Sequence, residues 1–405
     1  MKILLVSEDL PAAAVGGLGM HVVALGNALI AQGHTVTLMG RDSPEFAECA
    51  SAIGFDGPFI PGFGNPFRGW KEHKLGVFIP GKRLFFAWQI ARGILKHAAG
   101  FDVIHYHGHH PMVGNYLPDA LNFVQTRHDQ GSDCITHTRF KNGQVCTETA
   151  AAACASCMAP QPNALQTAIS ACAVQQFRRH TTKAFQRHPV VFVSQFLRDN
   201  AARGLGERAL TRALVVHNFC DESALPAPTL PRPNAGRVVH VAGRLDAGKG
   251  IGLLLDFLHP QLPVDWQVNV YGDGPLRTKL AAQHASAQVI FHGHAPRSQV
   301  VRAAAQSDAV VMPSIFEESC GTVVLEALHV GRPCFALRRG GTPELARYGA
   351  PGQLQLFETM PSLVQALLAL QPQPVVRVHG ESAGVLGKLP ALLAIYRAGL
   401  QPAHQ

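Results

Sequence analysis

The chain has 405 residues, of which 47% are hydrophobic and 15% charged, and it carries a formal net charge of +8. A single hydrophobic core stops growing well before that length, so two domains are expected, and the composition excludes wholesale disorder. No apolar run reaches the roughly 18 residues that span a bilayer, and the opening MKILLVSEDLPAAAVGGLGMH is broken by acids and Pro11, unlike the apolar stretch of a signal peptide. A cytoplasmic protein is the expectation.

In chain order, KILLVS (2–7), TVTLMG (35–40), DVIHYH (102–107), NFVQT (122–126), VVFVS (190–194) and ALVVHN (213–218) are brief, rich in β-branched residues and bounded by polar residues or glycine. They predict buried strands. Between the first two, GGLGMHVVALGNALIAQGH has helical apolar spacing, with Gly33 as its stop signal. The stretch DESALPAPTLPRPNAG (221–236) holds four prolines and no periodicity, which reads as a linker. The alternation then restarts with RVVHVAG (237–243), QVNVYG (267–272), VIFHG (289–293), DAVVMPS (308–314) and PCFAL (333–337).

The predicted class is therefore α/β, with two Rossmann-like domains and a deep cleft between them. The first spans 1–222, with a Cys-rich insertion at about 130–160. A Pro-rich hinge over 223–236 leads to the second, 237–380. A closing helix over 385–405 follows, for which packing back on the first domain is one option. Ligand sites belong at the carboxyl ends of the strands of such sheets.

Charge is uneven: residues 1–220 carry 20 Lys+Arg against 14 Asp+Glu, and residues 221–405 carry 15 against 13. Seven basic residues against one Glu fall within 64–100, interleaved with Trp70, Phe85, Phe86 and Trp88. A solvated basic face is the plain reading; a surface for anionic lipid is the sharper one. No nucleic-acid motif accompanies the charge, so a nucleic-acid partner is not expected.

Three stretches carry chemistry. In PSIFEESCGTVVLEALHVG (313–331), a strand runs into a helix starting near Gly321, with Glu318 before it and Glu326 inside. The free amides of Gly321, Thr322 and Val323 suit a phosphate. The bland alternative makes Glu318 a dipole-complementing acid and Glu326 a surface residue. In VAGRLDAGKG (241–250), Arg244 and Lys249 lie five apart among glycines, so both can fold over one anion. The spacing is not that of a P-loop. VGGLGMH (15–21) is a glycine turn between the first strand and helix, a weak signal by itself.

With these motifs the chain resembles retaining glycosyltransferases of family 4, which have the two-domain GT-B fold. GRLDAGKG matches the family's G-R-x4-K-G loop and ESCGTVVLE its E-x-[FY]-G-x4-E element. GGTPELA (340–346), VYGDGP (270–275), VVHNFCD (215–221), VSQF (193–196) and TRHD (126–129) follow in the family's order. Cys320 replaces the usual aromatic, and NFCD lacks the glycine of the usual turn. The resemblance implies that Arg244 and Lys249 hold a nucleotide diphosphate, Glu318 the donor sugar's hydroxyls and Glu326 the ribose. Backbone amides at Gly16, Gly17 and Gly321 to Val323 would meet phosphate or sugar, with Gly272 and Cys320 also lining the donor pocket. His128 would stand near the sugar's C6 oxygen or the anomeric carbon.

The expected reaction is metal-independent transfer from a nucleotide sugar, a UDP-hexose or UDP-N-acetylhexosamine ahead of GDP-mannose. The acceptor is expected to be a lipid-linked or cell-surface glycan. A nucleotide-sugar epimerase of the same fold, or a sugar-binding homologue without turnover, are the alternatives. No cofactor is required for the reaction.

Two side groups stand apart. Cys134, Cys146, Cys154 and Cys157, spaced x11, x7 and x2, are compatible with a structural zinc clip, with free thiols or with disulfides. The run HYHGHH (105–110) reads as a strand end and loop, with metal ligation as the lesser alternative.

Overall fold

The computed structural model describes residues 1–10, 17–43, 53–64, 75–222, 225–226, 236–371 and 381–400. The chain divides into two compact units. The first comprises Met1–Arg139, Cys146–Asn218 and the segment from Lys388 on; the second comprises Phe140–Val145 and Phe219–Gly387.

Strands β1 (Lys2–Ser7), β2 (Thr35–Arg41), β3 (Phe59–Phe63), β4 (Val103–His107) and β5 (Phe123–Arg127) open the first unit. A small hairpin, β6 (Phe140–Lys141) and β7 (Gln144–Val145), turns at Asn142 and Gly143, both at positive φ. That is the I′ geometry for which Asn-Gly is suited. After β8 (Val190–Phe192) and β9 (Ala213–Val215) the sheet is complete, in the order β3-β2-β1-β4-β5-β8-β9. Every pairing in it is parallel.

All five residues of β4 and of β5 are buried, because crossover helices cover both faces of a parallel sheet. These helices include α1 (Gly17–Ala31), α2 (Gly81–His97), α3 (Ala164–Arg187) and α4 (Gln195–Leu205). Asn163 and Gln166 cap α3 reciprocally, and Ser194 Oγ accepts from the Leu197 amide to start α4. The core gathers Leu4, Val6, Ile104, Tyr106, Phe123 and Phe177.

The second unit holds β10 (Val238–Ala242), β11 (Gln267–Tyr271), β12 (Val289–Gly293), β13 (Ala309–Met312), β14 (Cys334–Leu337) and β15 (Leu354–Phe357). They form an all-parallel sheet in the order β12-β11-β10-β13-β14-β15. Its helices include α5 (Ile251–Leu258), α6 (Arg277–His284), α7 (Arg297–Ala305), α8 (Thr322–His329) and α9 (Met360–Leu368). The closing helix α10 (Val385–Ala398) belongs to the first unit from Lys388 on. There the Tyr396 hydroxyl lies 2.6 Å from His105 Nδ1. No described helix is long and apolar enough to cross a membrane.

The predicted strands all form, with ends moved by a few residues. Two edge strands, β3 and β15, have no counterpart among the predictions. FIPGF carries Pro61 and Gly62, which only an edge strand tolerates and which mask its signal. LQLF is half-buried throughout, so its pattern shows neither alternation nor a wholly buried run. The strand order reverses between β1 and β4 in one sheet and between β10 and β13 in the other. In open α/β sheets the crevice beyond the carboxyl ends at such a reversal is where ligands bind.

Candidate functional site

In the second unit, that crevice is built by four loops joined through their backbones. The loop after β10 is held to the one after β11 by Gly243 N–H to Tyr271 O (3.0 Å), Leu245 N–H to Asp273 O (2.9 Å) and Leu276 N–H to Leu245 O (2.9 Å). Gly272 has φ +129, and a Cβ there would lie 1.9 Å from Gly243 O. Glycine at this position lets the two loops touch. On the other side, Ile315 N–H donates to Gly248 O (2.9 Å), which ties the loop after β13 to the same segment. Gly341 N–H donates to Glu318 O (2.8 Å), and a Cβ on Gly340, at φ +56, would lie 2.2 Å from that oxygen.

The frame brings Lys249 and Glu318 together. Lys249 Nζ is 2.7 Å from Glu318 Oε1, which also accepts from Ser314 Oγ at 2.5 Å. The ammonium sits 4.9 Å from the centre of the Phe316 ring, within cation–π range. Glu318 is buried, whereas the Arg244 side chain is 71% exposed and, among the described residues, pairs with Asp246 at 3.5 Å. The Arg244 guanidinium is therefore available to a ligand, and Lys249 is already in place.

Beside this pair, α8 begins at Thr322 with Gly321 as its N-cap and no side-chain capping bond. The amides of Gly321, Thr322 and Val323 precede the first acceptor of the helix, whereas Val324 N–H donates to Gly321 O at 3.0 Å. Gly321 packs against β13, since a Cβ there would lie 2.6 Å from Met312 Sδ. Cys320 is buried in the same turn. Glu326 lies one turn further along, paired with Arg297 of α7 at 2.6 Å and mostly buried. Burial raises the Glu326 pKa, against the opposing charge of Arg297. It is not the surface residue of the bland alternative. Arg297, Ser314 and Phe316 were not singled out in the sequence; Arg297 follows a proline in APRSQ, with no local motif to mark it.

The first unit carries a second group of polar residues at the β1/β4 reversal. Glu8, just past β1, is buried and accepts from the Tyr106 hydroxyl, from the amides of His109 (2.9 Å) and His110 (3.2 Å), and pairs with His110 Nδ1 (2.7 Å). Burial alone would raise its pKa, but His110, His109 and Tyr106 outweigh it and hold the carboxyl well below the usual range. His109 bridges Asp129 (2.7 Å) and Asp9 (3.2 Å). Burial disfavours its charge, yet those carboxylates and Glu8 push its pKa up to about 10.

His128 lies nearby, with its Nε2 3.0 Å from His107 Nδ1. Burial first, then the neighbouring histidines, drives both pKa values well below the usual one, so both imidazoles are neutral at pH 7. His107 Nε2 is buried with no hydrogen-bond partner among the described residues. His21, His107 and His128 have ligating atoms within 4.8 Å of one another, as do His109, Asp129 and His137. The second of these groups is closed by ion pairs, and in the first the neutral imidazoles of His107 and His128 are donors and acceptors suited to hydroxyls.

Gly17 opens α1, where an added Cβ would meet none of the described residues within 4 Å. Gly16 lies outside the described residues. So do residues 65–74 of the basic stretch, including Trp70. Within its described part, Arg83 is buried and donates to Ile135 O at 2.6 Å, so it is not part of a solvated face. Phe85 and Trp88 are exposed on α2, with Arg92 5.0 Å from the Trp88 ring centre.

Residues 15–224 match the model of "Glycosyltransferase Family 4", and residues 236–371 match that of "Glycosyl transferases group 1". Glycogen synthase of Mycobacterium tuberculosis is 24% identical over 391 residues, covering 87% of this chain and 81% of that protein. Sulfoquinovosyl transferase SQD2 of Arabidopsis thaliana is 34% identical over 113 residues, which is 28% of this chain and 21% of that protein. In fold, the chain is similar to HepE of Anabaena in complex with UDP and glucose, with a TM-score of 0.61, 17% identity and 98% of each chain covered.

Proposed function

Because the chain belongs to glycosyltransferase family 4, we propose that it moves a hexose or N-acetylhexosamine from a UDP-sugar to a hydroxyl acceptor with retention of configuration, GDP-mannose being the second donor class. The observation that carries this reading is the Lys249–Glu318–Ser314 group beside the uncapped start of α8. The bond from the anomeric carbon to the diphosphate oxygen breaks, and a bond to the acceptor oxygen forms on the same face. The acceptor's proton passes to the departing phosphate.

Negative charge grows on the diphosphate as the sugar becomes cation-like, so fixed positive groups lower the barrier. Arg244, Lys249 and the amides of Gly321 to Val323 take this role, without a metal ion. The chain has no Asp-x-Asp sequence that would hold a cation against the diphosphate. Glu318 is assigned to the sugar's hydroxyls and Glu326 to the ribose; for the latter, Arg297 must share its carboxylate with the ligand. The neutral imidazole of His128 suits a sugar hydroxyl. The UDP and glucose bound by HepE support the choice of donor.

Incubation with UDP-glucose, UDP-galactose, UDP-N-acetylglucosamine and GDP-mannose tests the assignment. A donor should raise the melting temperature, and slow hydrolysis should release free sugar of retained configuration. Interconverted nucleotide sugars would identify an epimerase instead, and no shift with any of the four would remove the donor assignment.

For the acceptor we propose a lipid-linked or cell-surface glycan, as in lipopolysaccharide biosynthesis, with the enzyme working at the inner face of a membrane. Support comes from α2, where Phe85 and Trp88 are exposed beside Lys82, Arg92 and Lys96, a pairing suited to anionic headgroups. The protein should sediment with vesicles containing phosphatidylglycerol and not with neutral ones, and Trp88→Ala should weaken that binding severalfold. Equal recovery with both vesicle types would count against the membrane role.

A further inference from the structure

We propose that Cys134, Cys146, Cys154 and Cys157 bind one zinc ion as four thiolates, fastening the insertion after β5 to helix α3. The segment from about 130 to 160 contributes only the β6–β7 hairpin and a short 3-10 helix, Ala152–Cys157. A segment of that size has too little apolar surface to form a core of its own, and a structural metal is a standard way to hold such a piece.

Local geometry gathers the four residues. Cys154 and Cys157 lie three apart in the 3-10 helix, where side chains at i and i+3 eclipse and so share a face. Cys146 closes the base of the hairpin, its amide donating to Arg139 O at 2.6 Å. The Arg139 guanidinium in turn pairs with buried Asp133, the neighbour of Cys134. Arg178 of α3 completes the circuit by donating to Asp133 O (3.2 Å) and Thr149 O (2.5 Å), and it lies 3.9 Å from Cys154 Sγ. One guanidinium thus reaches the backbone beside the first cysteine and the sulfur of the third.

None of the four is in a disulfide, and all are half-buried. Thiolates gathered on one patch repel one another, and a divalent cation relieves that repulsion. Among the described residues, the groups whose ligating atoms already lie within 4.8 Å are the two histidine clusters. Side-chain rotation must accordingly draw the sulfurs in to the ~2.3 Å zinc–sulfur distance. The His109–Asp129–His137 group is a poorer zinc site, because His109 is held protonated between carboxylates, whereas a closed set of four cysteines is a common structural form.

The test is metal content of the full chain, purified under reducing conditions without chelator or affinity metal. We expect about one zinc per chain, released as the thiols are blocked with a mercurial, and a fall below about 0.1 per chain in Cys157→Ser. His109→Ala should keep its zinc. Should Cys157→Ser fail to fold, the wild-type protein decides: a strong chelator should lower its melting temperature, and zinc should restore it. Metal-free protein whose insertion thiols titrate freely would overturn the proposal, as would a disulfide within 134–157 found by mass spectrometry, or zinc lost equally in His109→Ala.

Discussion

Lys249→Ala should lower kcat by about a hundred- to a thousandfold, the usual effect of removing one group fixed where transition-state charge develops. The fold should survive. Lys249 lies at the surface of its loop, with 30% of its side chain exposed, and the backbone links from Gly243, Gly248 and Leu245 do not pass through its ammonium. Glu318 would lose one partner and keep another, because Ser314 Oγ still donates to the same oxygen. Lys249→Arg should recover only part of the activity, since a planar guanidinium does not reproduce the point charge of an ammonium. Steady-state turnover, with circular dichroism as the control for folding, checks this. A Lys249→Ala rate within threefold of wild type would remove the diphosphate role from Lys249.

How much of this site could be read beforehand depends on how far apart in sequence its members lie. The segment G-R-x4-K-G and the acids around Gly321 are visible because each sits at a strand–loop–helix passage whose local pattern is strong. Lys249 and Glu318, however, are 69 positions apart. Their contact exists because β10 and β13 are neighbours in the sheet, and strand order is not a local property. The same reason hid Arg297, whose partner Glu326 lies on the next helix in the chain. In the first unit, His128 was legible through TRHD, yet the group around Glu8 was not. Two acids directly after the first strand, in KILLVSED, were the available signal, because β1 ends at the chain's first topological reversal. The four cysteines show the opposite case, with legible spacing and a chemical state that spacing alone left open.

Glu8→Ala should destabilise the first unit by about 3–5 kcal/mol, the range for breaking a buried, charge-assisted pair from one side. The Glu8 carboxylate is buried and serves the Tyr106 hydroxyl, two consecutive amides and His110 Nδ1. Alanine would leave these donors facing a cavity beneath the loop 107–110, and each buried donor left without an acceptor carries its own desolvation penalty. Glu8→Gln keeps the shape and can still accept, so its loss should be smaller and should fall mainly on the charge-assisted bond to His110. The pH dependence has a definite sign. A carboxyl whose folded pKa lies below its unfolded value binds fewer protons when folded, so its stabilisation is present above about 4.5 and is lost as pH falls below that. His109 runs the other way: its raised pKa adds stability that is complete below about 6.5 and disappears as pH rises toward 10. With 40% of its side chain exposed, solvent screens that second contribution, and the acid limb should dominate. Urea denaturation between pH 3 and 9 should show wild type losing stability below pH 4.5 more steeply than Glu8→Gln. Parallel acid limbs in the two proteins would show that the Glu8 charge does not hold the loop that places His107 to His110 beside His128.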